Sequence, residues 1–206
     1  MLFRSDVTIP KSVLRIGRDA FWCCESLTEA VIPEGVTEIG DSTFWGCSAL
    51  KKVVIPSSVG KIGDHVFCDC ENLTGVAIPE GVEEIKDQTF SGCHRLAKVK
   101  IPRSVRRIGE WAFHECGRLT EAVIPEGVTA IEEYTFCDCS RLKKVVIPAS
   151  VTKIGKDAFA RCGNLTEAVI PAGVTEIGEG AFRECEKLTQ VVIPAGVTEI
   201  AEDAFT

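Results

Sequence analysis

No apolar run in this chain approaches the roughly 20 residues that a membrane-spanning helix needs, so insertion into a bilayer by that route is not expected. The opening MLFRSDVTIP has neither an apolar h-region nor a small-residue cleavage site, and it does not read as a signal peptide. Excess positive charge is missing too. The net charge is -7 and the pI about 5.1, a balance without sequence-independent attraction to phosphate backbones, which excludes nucleic acid as an expected partner. Catalytic signatures are also absent: there is no Gly-rich phosphate loop, no nucleophile elbow and no carboxylate pair standing apart from the general pattern. His94 beside Cys93 has the residue types of a Cys–His dyad, but one-residue spacing on a turn points the two side chains apart. No catalytic residue and no cofactor are expected.

What the chain has is a period. Its nine prolines, from Pro10 to Pro194, each follow an Ile and each lie 23 residues after the last. Three residues after every Pro stands a Val, six after an Ile, eleven after a Phe (Phe21 to Phe205) and, as far as the chain reaches, fourteen after a Cys and seventeen after a Leu. Such a fixed period is the mark of a solenoid, in which a unit buries its apolar face only by stacking on its neighbours. The segment from Leu to Pro, such as LTEAVIP at 27 to 33, alternates like a strand, and proline ends it by removing a backbone donor. VTEI reads as a second short extended piece and DSTFWGC as a single helical turn. Residues 1–206 are expected to form one domain of about nine 23-residue coils with parallel stacked strands and short helical or 3-10 turns. At about 4.8 Å per coil this gives a rod roughly 40 Å long.

The string LTEAVIPEGVTEIGDSTFWGCSAL resembles the BspA-type leucine-rich repeat, whose units pair a Leu-x-x-[Val/Ala]-x-Ile-Pro strand with an Ala-Phe-x-x-Cys turn. The resemblance covers about residues 5 to 205. It implies a leucine-rich-repeat solenoid, and a module that binds protein, because members are mostly surface or secreted proteins of bacteria and some protozoa implicated in adhesion to host matrix proteins or other cells. No catalytic residue belongs to the motif. The implied location is the cell surface or the exterior, as part of a longer protein; a complete chain of this sequence would instead be cytoplasmic. An intracellular protein-interaction scaffold and a structural spacer holding other domains remain alternative readings.

A second period of 46 residues overlies the first. Units with Gly after the proline (IPEGV at 32 to 36) alternate with units carrying Ser (IPSSV at 55 to 59), and charges alternate with them, as in Glu38, Lys61, Glu84 and Arg107. On stacked coils these become neighbours of opposite sign. Exposed pairs contribute about 0–1 kcal/mol each, but a wrong register would set like charges together.

The cysteines divide by column. Eight of the eleven recur once per coil beside the Phe and read as reduced, buried thiols, because a uniform parallel column rarely offers the dihedral a disulfide requires. The columns do not fix the redox state of Cys23, Cys68 and Cys137. His65 with Cys68 has the look of a zinc pair, but the next unit offers only Gln88 and Ser91, so no metal site is expected.

Two surfaces are candidates for binding, an aromatic ridge as the first choice and a valine stripe as the second. Nine and twelve residues after the prolines, the columns hold Trp22, Trp45, His65, Trp111, His114 and Tyr134, where exposed columns ordinarily drift among Lys, Glu, Ser and Thr. Either these rings lie flat and cover apolar surface, or they form a binding ridge of rigid amphipathic anchors. Two residues before the prolines stand Val31, Val54, Ala77, Lys100, Val123, Val146, Val169 and Val192, a column that alternation turns outward. This stripe either serves the ladder through β-branching or binds a ligand or a second copy. Lys100 interrupts it. Arg4 stands where the first unit should carry its Leu, with Leu2 and Phe3 as substitutes, and the sequence stops at Phe205-Thr206 in mid-repeat, so the expectation is a fragment of a longer chain or, alternatively, end-to-end self-association.

Overall fold

Strands of three and two residues cannot persist alone; each is held because the same string recurs 23 residues later, one coil away. The computed structural model describes residues 6–206, and the Arg4, Leu2 and Phe3 cap lies outside them. It is a parallel β-solenoid of nine coils, numbered here by their prolines. Each coil has a three-residue strand before the Pro (Asp6–Thr8 in coil 1, Gln190–Val192 in coil 9) and a two-residue strand after it (Arg15–Ile16 to Glu199–Ile200). The register is the expected one, with Glu29 opposite Lys52, Ala30 opposite Val53 and Ile39 opposite Ile62.

The repeated columns form the core. Leu27, Val36, Ile39, Phe44, Cys47 and Leu50 of one turn are fully buried, as are most of their counterparts in the later coils. Nine phenylalanines from Phe21 to Phe205 form one continuous stack, with successive ring centroids 5.2–5.6 Å apart and planes within 12°. Each such pair adds about 0.5–1.5 kcal/mol beyond its buried area. All eleven cysteines are free thiols. From Cys47 to Cys185 each column thiol donates to the Phe carbonyl of the preceding coil at 3.1–3.3 Å. The cysteine is thus more than a small apolar filler, because its thiol gives a second donor to a carbonyl that already accepts the Cys amide of its own coil.

The expected helical turn is not there. Among the described residues the Phe segment contains turns and no helix. The reason lies in two left-handed positions per coil, nine and thirteen residues after the Pro: Asp19, Ser42, His65, Gln88, Trp111, Tyr134, Asp157, Gly180 and Asp203 in the first column, and Cys23, Gly46, Asp69, Gly92, Glu115, Asp138, Arg161 and Glu184 in the second. A helix would direct successive amides back along its own axis. Here alternate amides instead bond the next coil, as with Asp19 to Asp41 O, Phe21 to Thr43 O and Cys23 to Trp45 O at 2.7–3.0 Å. The turn segments form a third ladder.

The 46-residue period also acquires a cause. Serines of alternate coils (Ser58, Ser104, Ser150) donate to the Val carbonyl of the preceding Gly-bearing coil at 2.7–2.8 Å, and Ser58 accepts from the amide of Gly35, whose φ is 98°. In the charge columns an exposed Arg15 meets the half-buried Glu38 at 3.6 Å and an exposed Lys153 meets the half-buried Glu176 at 2.9 Å.

Seven residues after the Pro, a glycine lets coils approach. A Cβ at Gly155 would lie 2.9 Å from the carbonyl carbon of Glu132 and the amide of Glu133. The amides of Gly40, Gly63, Gly109, Gly155 and Gly178 accordingly bond an Ile carbonyl of the previous coil at 2.8–2.9 Å. Lys86 and Glu132 replace this glycine, and among the described residues their amides make no such bond. Both sheets break at the same two places, between coils 3 and 4 and between coils 5 and 6, while the turn ladder runs on through them. Ala201 also stands in this column, and its amide keeps the bond to the Ile177 carbonyl at 2.9 Å.

Gly155→Ala should therefore destabilise by about 1–3 kcal/mol through overpacking. Gly17→Ala, in the same column of coil 1 with nothing within 4 Å of the added carbon, should be neutral or stabilising by about 0.5–1 kcal/mol. Urea unfolding of both variants checks the pair. Buried thiols make stability depend on pH. Burial, with the neighbouring Cys116 adding to it, holds the Cys93 thiol well above its ordinary 9.0, so its contribution is intact below about pH 9 and declines as the pH rises toward the folded value. Cys93→Ala should be less stable than wild type at neutral pH, and the gap should close by about 1.4 kcal/mol per pH unit above pH 9. A gap that is constant up to pH 10, measured by urea unfolding, would contradict the protonated ladder.

Candidate functional site

The turn face carries the aromatic columns on backbone fixed by the third ladder. Left-handed φ is unusual for bulky side chains, and Trp111 (58°) and Tyr134 (55°) both adopt it because the coil-to-coil bonds require it. Trp111 stacks on Tyr134 at 4.0 Å and meets His114 edge-on at 4.7 Å. Trp45 stacks on His65 at 5.5 Å, and its indole N–H donates to Asp69 at 3.0 Å. These five rings are half-buried, whereas Trp22 stands apart and is 54% exposed. The two columns share a face as expected, but as two clusters and a single Trp.

The sheet face is more open. Val31, Val54, Val123, Val146, Val169 and Val192 are 41–75% exposed, and their neighbours Ala30, Val53, Ala122, Val145 and Ala168 are buried. Lys100 is exposed in the same column. The two junction breaks fall on either side of Ala77 and Lys100, so the valines form a pair in coils 2 and 3 and a run of four in coils 6 to 9. At the end of the rod Ile193, Ile200 and Phe205 are exposed.

One constellation was missed by sequence reasoning. A ring nitrogen of His114, Sγ of Cys137 and a carboxylate oxygen of Asp138 lie within 4.8 Å of one another, the one such trio of potential metal ligands among the described residues. Nε2 of His114 is 3.7 Å from Oδ2 of Asp138, to which the Cys137 thiol donates at 3.4 Å. Arg161 bridges Asp138 and Glu184 at 3.4 and 3.3 Å. Burial lowers the pKa of His114 below its usual value, which keeps the ring neutral at pH 7. Burial, assisted by Asp138, pushes the Cys137 thiol up to about 12. No such trio forms around His65 and Cys68 among the described residues. The available signal was the string FCDC, which occurs at 67 to 70 and at 136 to 139, with His114 one coil before Cys137. The Cys93–His94 dyad does not form: Cys93 is fully buried, while the exposed His94 contacts Glu115 at 3.3 Å.

Among the described residues no helix is long and apolar enough to cross a membrane. A search of curated proteins gives no match. Among solved structures, the T. pallidum leucine-rich repeat protein TpLRR is 32% identical over 74% of this chain and 72% of its own, with a TM-score of 0.71. A leucine-rich cell surface protein of Faecalibacterium prausnitzii is also 32% identical, over 95% of this chain and 68% of its own, with a TM-score of 0.53. The pneumococcal vaccine antigen PcpA, 18% identical, shares the fold at a TM-score of 0.52. The BspA type leucine-rich repeat region matches in six copies over residues 4–120 and 107–206. With its core columns, its parallel coils and these matches together, the chain belongs to the BspA-type leucine-rich-repeat family.

Proposed function

We propose that the chain is a non-catalytic recognition module of a surface or secreted protein, and that it binds a host extracellular matrix protein or a protein on another cell. The observation that carries this reading is the sheet face: a run of four exposed valines in coils 6 to 9 on one parallel ladder, beside Glu121, Lys144 and Glu167 in alternating sign. Soluble proteins seldom leave contiguous apolar surface of a few hundred Å² without a partner. Likeness to a leucine-rich cell surface protein at 32% identity supports the extracellular setting. The aromatic clusters on the turn face are the second candidate surface. Their rings are spent largely on one another, which favours the valines.

Lys100 shows that this column accepts a charge, so a Val123→Lys, Val146→Glu and Val169→Lys variant, alternating in sign from coil to coil, should fold. On an array of matrix and cell-surface proteins, this variant is expected to lose at least tenfold in affinity for whatever the wild type binds. A Trp22, Trp45, Trp111 and Tyr134→Ala variant with an unchanged melting temperature should keep binding. The reverse result would move the site to the turn face. A folded wild type that binds nothing on the array would sink the adhesion reading in favour of a spacer.

A further inference from the structure

We propose that His114, Cys137 and Asp138 form a binding site for one zinc-class divalent cation, with a water in the fourth position. The inference is independent of the sheet-face reading. A tetrahedral site with Zn–S of about 2.3 Å and Zn–N and Zn–O of about 2.0–2.2 Å has ligand-to-ligand edges of about 3.3–3.6 Å. Two edges already stand at 3.4 Å (Sγ to Oδ2) and 3.7 Å (Nε2 to Oδ2), and the third is within 4.8 Å.

The donors are held by backbone rather than by flexible loops. Asp138 is in the left-handed region, with its amide bonded to the Ala160 carbonyl at 2.9 Å, and the Cys137 amide bonds the Tyr134 carbonyl at 3.1 Å. A T-shaped contact with Trp111 at 4.7 Å orients the His114 ring. Cys137 is nearly enclosed, while His114 and Asp138 are partly open, so a cation would enter from the turn face. A neutral imidazole, a carboxylate and a thiolate balance a 2+ charge. Binding would convert the Cys137 S–H to a thiolate whose lone pair forms the metal–sulfur bond, and its proton would leave to solvent. Arg161, half-exposed and already paired with Glu184, would release Asp138 without losing its partner.

The chain contains its own control. Phe67-Cys68-Asp69-Cys70 repeats the string, but the place of His114 is taken by Trp45, which donates to Asp69 and has no lone pair to offer. Only the copy with histidine forms a ligand trio among the described residues.

Cobalt(II) titration of the reduced protein, read by its thiolate charge-transfer absorption and displaced with zinc, tests the site. One equivalent should bind in wild type. His114→Gln and Asp138→Asn should weaken it at least tenfold while keeping the wild-type melting temperature, and Trp45→His should add a second equivalent. A wild type without the thiolate band would overturn the proposal. So would a band undiminished in His114→Gln, which would put the cobalt on another thiol such as the half-exposed Cys23. Should His114→Gln fail to fold, Trp45→His decides alone: two equivalents uphold the three-residue constellation, and one refutes it.

Discussion

Everything in this molecule depends on the spacing between one coil and the next, near 5 Å. At that distance a residue's nearest neighbour is the same column 23 places away, so each column must tolerate contact with itself. Phenylalanine meets this by parallel stacking at 5.2–5.6 Å, and isoleucine and valine meet it by β-branched packing on a ladder. Cysteine does so with a small thiol that also donates to a buried carbonyl. Charged columns mostly alternate in sign for the same reason, as in Glu121, Lys144 and Glu167, although Glu176 faces Glu199 near the end of the rod.

Glycine shows how strict the spacing is. At Gly155 and Gly178 the previous backbone leaves no room for a Cβ, and where Lys86 and Glu132 supply one, the amide bond to the Ile carbonyl of the previous coil is lost. The turn ladder holds at both junctions, with His65 bonded to Asp87 O and Trp111 to Glu133 O. One side of the rod is therefore continuous, and the other is divided into blocks of three, two and four coils. Two substitutions in a single column set this division, with no insertion and no change of period.

Periodicity made the fold legible from the residues. Columns that never vary are core, and alternation around the buried Ala30 or Val53 was enough to turn Val31 and Val54 outward. The turn segment was misread because i to i+3 spacing looks helical in one dimension. Its left-handed residues are as different as Asp19, Gln88 and Trp111, so no residue type marks the position. The junction breaks were not anticipated either, because the meaning of Lys86 lies in the coil beneath it. His114 with Cys137 and Asp138 was overlooked for a related reason. For His65 and Cys68 a further ligand was sought only in the same columns of the next coil, whereas Asp138 stands one column over, beside Cys137 and one coil after His114.

The division of the sheet face also constrains how a partner could be read. A stable protein interface covers about 800 Å² on each side, more than the run from Val123 to Val192 can supply alone. Its flanks must take part, and they carry Glu121, Lys144 and Glu167 in register beside the valines. Such a surface has an apolar centre and a charged border of alternating sign, the usual anatomy of a specific interface. Lys100 and the junction after coil 5 bound it on one side. Affinity would then come from the valines, and orientation from the order of charges that the 46-residue repeat maintains. The same alternation that keeps the coils in register would also set a partner's register along the rod.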